Sequence, residues 1–383
     1  MAGMEDRAKG GTASAGRVTC LDGLRGVAAS TVVVFHFFYA FYPAPFSSYG
    51  RTGFSLLDTP LAVLWNGHFS VAVFFAMSGF VLAASAPRTP GGAPLAVVLR
   101  YGRLAIPALV SSLIAWAWLT GFPEAGREAQ ALGGSSWFRW TYQAPIPPIW
   151  QAAWEGAVGA FVDGTTRFNN PLWTMRTEFL GSLLIYAAYA LVPVGWRVPA
   201  LAAGLGGLAA AGQFGLAAFC GGALVFEGRG HLAPRPRLGA LLALAGVVLG
   251  GTYPGHAAGP GLGDLVLSWL GAPGAREAGA LLLVLGLLMT PALQRQFDRP
   301  LIQRLGELSF PLYLVHVPLI CGPAAALFVA LAPLSPLGLG LLFVGLAAAS
   351  LACAILFLLL VERPVLAALR AARTRAKARL AAS

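Results

Sequence analysis

The sequence predicts an all-α, polytopic membrane bundle of about ten spanning helices, and three observations predict it. The 383-residue chain is 57% hydrophobic and only 11% charged, a balance that a soluble domain of this size would have difficulty carrying without aggregating. Apolar windows of about 20 residues recur along its length, each long enough to cross a hydrocarbon layer. The basic residues between those windows gather on alternate connections, as the positive-inside rule requires of a multi-pass chain. The formal net charge of +11 therefore reads as topology. A nucleic-acid partner is not expected, because the positive residues sit in short loops and do not form one solvated face.

The windows fall near residues 24–42, 69–86, 104–121, 171–193, 198–212, 214–227, 238–253, 278–293, 308–331 and 337–361. Residues 1–18 are polar, with Arg7, Lys9 and Arg17 and no small-residue cleavage site, so the first span is expected to stay in the product. A cytoplasmic N-terminus puts Arg25, Arg88, Arg100, Arg103, Arg197, Arg229, Arg235, Arg237, Arg295, Arg299, Arg304 and the arginine-rich tail on one side. The other side receives only Arg51, Arg127, Arg139, Arg167 and Arg276. Both termini are then cytoplasmic. The expected division is a cytoplasmic segment 1–20, a membrane domain 21–364 and a basic cytoplasmic tail 365–383.

Two outer connections are long. Residues 122–170 hold Trp137, Trp140, Trp150 and Trp154 among prolines, which suits a segment at the membrane interface over the outer mouth of the bundle. Residues 254–277 are glycine-rich with no evident periodicity. The tail LRAARTRAKARL is either an amphipathic helix on anionic lipid or a topogenic anchor. Cys20, Cys220, Cys321 and Cys353 have neither redox nor zinc-ligand spacing and read as small packing residues. No metal is expected.

The stretch LDGLRGVAASTVVVFHFF, residues 21–38, organises the chemistry. Arg25 and His36 lie eleven positions apart, about three turns plus 20°, so they share a helix face and stand about 16 Å apart along the axis. With Arg25 at one interface, the imidazole reaches the midplane, where an ionisable group is costly unless it is used. His36 is thus the first catalytic candidate, as a general base. Glu178, in NNPLWTMRTEF, enters its span from the other side and reaches a depth within about two turns of His36. Either it partners His36 or it pairs with Arg176 at the interface. Arg100 and Arg103 share a face at the start of the third span. With Arg25 they form either a cluster for a polyanion such as a phosphorylated cofactor or a set of topogenic positives. His316, in LGELSFPLYLVH, matches the depth of His36, and Tyr313 lies one turn nearer the cytoplasm; both are candidates for contacting substrate. Asn169 and Trp173 at the outer mouth are candidates for contacting a polar acceptor, although Trp173 also suits an interface anchor. Ser78 and Gly79 read as close-packing residues. His68, His231 and His256 fall in loops and carry no signal.

Six motifs in order carry a family resemblance: LDGLRG with Arg25 and His36, VAVFFAMSGF, RYGRLAIP, NNPLWTMRTEF, LGELSFPLYLVH and VERP. Together they resemble the acyltransferase-3 family of integral-membrane O-acyltransferases of the bacterial inner membrane, nearly end to end. The resemblance implies transfer of an acyl group from cytoplasmic acyl-CoA to a hydroxyl of a cell-surface carbohydrate or lipid-linked envelope acceptor. It implies that His36 is the catalytic histidine, that Arg25 belongs to the same motif, and that Arg100 and Arg103 lie near the CoA phosphates. Two departures stand out: Phe179 follows Glu178 where a second acidic residue is common, and Arg176 is an added charge. The expected scheme holds the CoA phosphates on the arginines while the pantetheine arm bridges the roughly 16 Å to His36. His36 then deprotonates the acceptor or carries the acyl group itself. The competing readings are a proton-coupled transporter using the same His and Glu, and a non-catalytic scaffold. Against transport stands the absence of a recognisable internal repeat.

Overall fold

The structure is a computed structural model that describes residues 18–43, 60–251 and 262–382. The expectations for Arg7, Lys9, Arg17, Arg51 and His256 lie outside those residues. Among the described residues, 86% are helical and none lies in a strand. Helices occupy every expected window: α1 (Thr19–Phe41), α2 (Gly67–Ser85), α3 (Ala93–Gly121), α4 (Thr174–Leu191), α5 (Val194–Ala210), α6 (Phe214–Gly228), α7 (Pro236–Gly250), α8 (Leu262–Met289), α9 (Pro300–Leu319) and α10 (Pro336–Phe357). Among the described residues, six helical stretches, built on α1, α2, α3, α8, α9 and α10, are long and apolar enough to cross a membrane. The remaining four helices are shorter.

Local chemistry sets the helix starts. Asn66 is fully buried and caps α2, its side chain accepting from the Phe69 amide at 2.9 Å while its Nδ2 donates to Gly250 O at the end of α7 at 3.0 Å. Pro300 and Pro336 open α9 and α10 at first-turn positions where a missing N–H costs nothing. Three boundaries differ from expectation. The third helix begins at Ala93, so Arg100 and Arg103 lie two turns inside it. Part of the 254–277 connection is helical from Leu262, with its break at Gly271, whose φ of 65° only glycine adopts readily. His68 belongs to the first turn of α2. The tail folds as a helix, Arg363–Ala382, which packs Leu369 on Gly102 of α3.

Glycine sets how closely the helices approach. A Cβ on Gly26 of α1 would overlap the Gly306 nitrogen of α9, and one on Gly306 would overlap the Asp22 carbonyl. Likewise, a Cβ on Gly79 of α2 would overlap the Phe219 carbonyl of α6, and one on Gly222 the Ala76 carbonyl. Such backbone-level contacts are the usual glue between helices in lipid, where no hydrophobic drive separates helix from solvent. Around the α1–α9 contact, α3 and the 160–175 segment complete an apolar cluster containing Val32, Val33, Leu314 and Val315. A second cluster with Phe37, Phe41, Val317 and Phe328 begins just above it. Large apolar side chains on the outside, such as Leu341, Val344 and Leu360 of α10 and the turn after it, are left for lipid.

Replacing Gly306 by leucine is expected to prise α9 from α1 and to destabilise the protein by about 1–3 kcal/mol, the usual cost of overpacking. Unfolding in mixed micelles titrated with a denaturing detergent measures it.

Candidate active site

Two imidazoles meet between the apolar clusters. His36 Nδ1 lies 3.0 Å from His316 Nε2, and each ring also addresses its own helix: His36 Nδ1 is 3.0 Å from Val32 O, and His316 Nδ1 is 3.0 Å from Leu312 O. The partners assign the protons. A carbonyl only accepts, so His316 Nδ1 carries hydrogen and, in the neutral ring, its Nε2 offers a lone pair. His36 Nδ1 must then be the donor, its hydrogen shared between His316 Nε2 and Val32 O. That leaves the His36 Nε2 lone pair free, as a general base or nucleophile needs. His316 is fully buried while His36 is only partly so. The exposed member of the pair is the one with the free lone pair.

Aromatic rings frame His36. Trp137 stands 5.3 Å away between centroids, Phe35 5.0 Å, and His68 lies against the far side of Phe35 at 5.4 Å. Trp137 comes from the 122–170 connection, whose Ser135 amide donates to Ala40 O at 2.8 Å at the end of α1. Ser135 Oγ then accepts from the Trp137 amide at 3.1 Å, so one serine docks the loop and aims the indole. The sequence reading took Trp137 for an interface anchor. A Ser-x-Trp directly after Gly-Gly was the signal that could have marked a turn with a seated ring.

Glu178 is held by neither of the two expected partners, His36 and Arg176, but by residues of α2 and α3. Arg100 Nη2 donates to Glu178 Oε2 at 2.7 Å, and Ser78 Oγ donates to Oε1 at 2.9 Å. Arg100 Nε reaches Ser182 Oγ at 2.8 Å, and Ser182 in turn donates to Glu178 O at 2.6 Å. Both charged side chains are 13% exposed. Ser78, read from sequence as packing, is thus part of a polar cluster tying α2, α3 and α4 together.

Arg100 and Arg103 consequently face different tasks. Arg103 is exposed and lies in electrostatic range of Arg25, Arg100 and Glu362. Arg25 pairs loosely with Asp22 at 3.7 Å. The VERP motif brings Glu362 into this group, while its Arg363 donates to Glu307 Oε1 at 2.7 Å in the LGELSF motif. Four motifs therefore converge at the Arg25 end of the bundle.

The 169–174 stretch serves α9. Asn169 Nδ2 donates to Leu314 O at 2.9 Å and Ser111 Oγ at 3.1 Å, and Tyr313 donates to Pro171 O at 2.7 Å with Thr174 Oγ1 3.0 Å away. Asn169 and Tyr313 are buried, whereas Trp173 is 45% exposed. The structure brings together His36 with His316, Glu178 with Arg100, and Arg25 with Arg103. Asn169 and Tyr313 stand behind His316 as braces.

Arg100→Ala would strand the Glu178 carboxylate in a low-dielectric site and is expected to cost about 3–5 kcal/mol. The double variant Arg100→Met, Glu178→Leu should recover most of that loss in a double-mutant cycle read by detergent-titrated unfolding.

No curated protein and no solved structure matches the chain significantly. A family model does, the acyltransferase domain of the acyltransferase-3 family, over residues 18–359, a span that contains both histidines, all three arginines and Glu178. With a membrane-suited helical bundle around a histidine whose lone pair is free, that match makes this chain a member of the acyltransferase-3 family of membrane proteins.

Proposed function

We propose that the protein transfers an acyl group from cytoplasmic acyl-CoA to a hydroxyl of a cell-envelope carbohydrate or lipid-linked acceptor, with His36 as the general base. The observation that carries the reading is the His36–His316 hydrogen bond, which leaves His36 Nε2 unprotonated on the partly exposed ring. In this reading the Arg25 end faces the cytoplasm of a bacterium. Arg25 and Arg103 hold the phosphates of CoA, and Arg100, braced by Glu178, shapes the floor of that site. The pantetheine arm spans the roughly 16 Å between Arg25 and His36, and the acceptor arrives from the opposite end.

The chemistry balances around one proton. His36 Nε2 takes the hydrogen of the acceptor hydroxyl as its oxygen attacks the thioester carbonyl. The new C–O bond forms, the C–S bond breaks, and the thiolate of CoA leaves. The imidazolium of His36 returns the proton to that sulfur. While His36 is charged, its Nδ1–H bond to neutral His316 becomes charge-assisted and stronger. His316 thereby holds the tautomer and stabilises the cation without touching substrate. Ser78, Glu178, Asn169 and Tyr313 act in this reading through the arginine and the helix they brace.

His36→Ala is expected to lower acyl transfer by about 10²–10⁴-fold with acyl-CoA affinity and melting temperature retained, measured on protein in nanodiscs with radiolabelled donor. His316→Phe should reduce kcat with little effect on the KM for acyl-CoA. His316→Gln, whose amide oxygen can accept from His36 Nδ1, should restore much of it. Wild-type protein that binds no acyl-CoA, yet drives His36-dependent uptake of a solute into vesicles, would replace the enzyme by a transporter.

A further inference from the structure

At the Phe41 end of the bundle the 122–170 connection carries two adjoining open depressions, of about 380 and 480 Å³. The first is lined by Arg139, Tyr142, Gln143 and Arg167 among others, and the second by Arg127, Gln130, Arg139 and Gln143. Sharing Arg139 and Gln143, they form one elongated trough. Neither has an acidic residue in its lining. These are three of the few arginines on what the charge pattern makes the outer side, where positive residues have no topogenic use.

The arginines are not equally available. Arg127 is ion-paired with Glu124 at 2.8 Å and donates to Ala144 O. Arg139 spends its Nε on the neutral amide of Gln130 at 3.3 Å. Arg167 lies 4.5 Å over the face of Tyr142, and the Tyr142 amide donates to Arg167 O at 3.0 Å, which fixes ring and guanidinium together. The nearby carboxyl, Glu155, has its Oε2 bound by the Phe168 amide at 3.0 Å and lies in electrostatic range of Arg167, while burial raises its pKa. Arg139 and Arg167 therefore present two forks to one open trough, Arg139 held only by a neutral amide and Arg167 sharing its surroundings with buried Glu155. A paired guanidinium site of this kind matches a planar carboxylate or a phosphate.

The trough adjoins the histidines by two routes. Trp137, seated on His36, lies two residues before Arg139 in the same turn. Thr141, also in the lining, donates to Phe138 O at 3.0 Å and lies near Cys321, five residues and about 8 Å along the helix from His316.

We propose that this trough binds the acceptor as an anionic carbohydrate, with Arg139 and Arg167 gripping a uronate carboxylate or a phosphodiester while a hydroxyl further along the chain descends past Trp137 to His36. The inference rests on the acyl-transfer reading and adds the class of acceptor.

The test uses full-length protein in nanodiscs, titrated calorimetrically with trigalacturonate, a glycerol-phosphate trimer and maltotriose, and separately with acyl-CoA. An anionic trimer should bind at least tenfold more tightly than maltotriose at low salt, and whichever of the two wins identifies the anionic group. Arg139→Gln with Arg167→Gln should abolish the preference while acyl-CoA affinity stays within twofold. The lysine pair, Arg139→Lys with Arg167→Lys, should keep part of it, and if the glutamine pair fails to fold, Arg139→Gln alone should reduce it. Equal affinity for all three trimers, an undiminished preference in the variants, or displacement of the anionic trimer by free CoA would overturn the inference. Failure of wild-type protein to bind acyl-CoA would instead strike the acyl-transfer reading.

Discussion

Ten residues beyond the contact of Gly26 with Gly306, His36 meets His316, and the equal offset on α1 and α9 is the constraint on which the site depends. Each residue along a helix turns a side chain by about 100°, so a slip of one position in either helix would carry an imidazole out of the pair. Glycine prevents that slip. The two backbones touch where no side chain intervenes, and any displacement drives a carbonyl or an amide into a neighbour. The 169–174 braces then hold α9 from its other side through Leu314 O and Tyr313. Register at the hydrogen-bond level is thus secured by packing about three turns away.

Charge is distributed with a comparable economy. A buried arginine needs its carboxylate, and Arg100 has one in Glu178, with Ser78 and Ser182 satisfying what the ion pair leaves over. Arg103, three residues on, stays exposed among Arg25 and Glu362. One member of the pair therefore stabilises the junction of α2, α3 and α4, and the other keeps a like-charged neighbourhood that an incoming anion would relieve. The motifs at the end of the chain close this region: Glu362 supplies counter-charge and Arg363 ties the tail helix to Glu307.

Much of this was legible in the sequence because membrane helices advertise themselves. Every expected apolar window is helical, and the eleven-residue spacing of Arg25 and His36 sits on one helix as read. His36, eleven residues beyond Arg25, and His316, eleven beyond Leu305, are expected at one level by that count, and the two rings are in contact. Azimuth was not legible. Sequence gives how deep a side chain lies but not which neighbour it faces, so Glu178 was matched to His36 by depth when its own face turns it to Ser78 and Arg100. Trp137 was hidden for a related reason, since composition alone cannot separate an indole at the lipid interface from one seated on a buried imidazole pair.

The replacement of a carboxylate by a second imidazole beside His36 bears on how the proposed reaction turns over. In a low-dielectric midplane, an anionic partner would bind the imidazolium as an ion pair, with a Coulomb attraction far larger than in water, and would hold the proton that the departing thiolate must receive. Neutral His316 gives only a hydrogen bond. That bond strengthens when His36 is charged, enough to orient the ring, without trapping the cation once the acyl group has moved. Keeping Glu178 committed to Arg100, away from His36, is therefore part of the same arrangement. The buried carboxylate is neutralised by a residue that never gives up its charge, and the titrating pair is left without a fixed charge in hydrogen-bond contact.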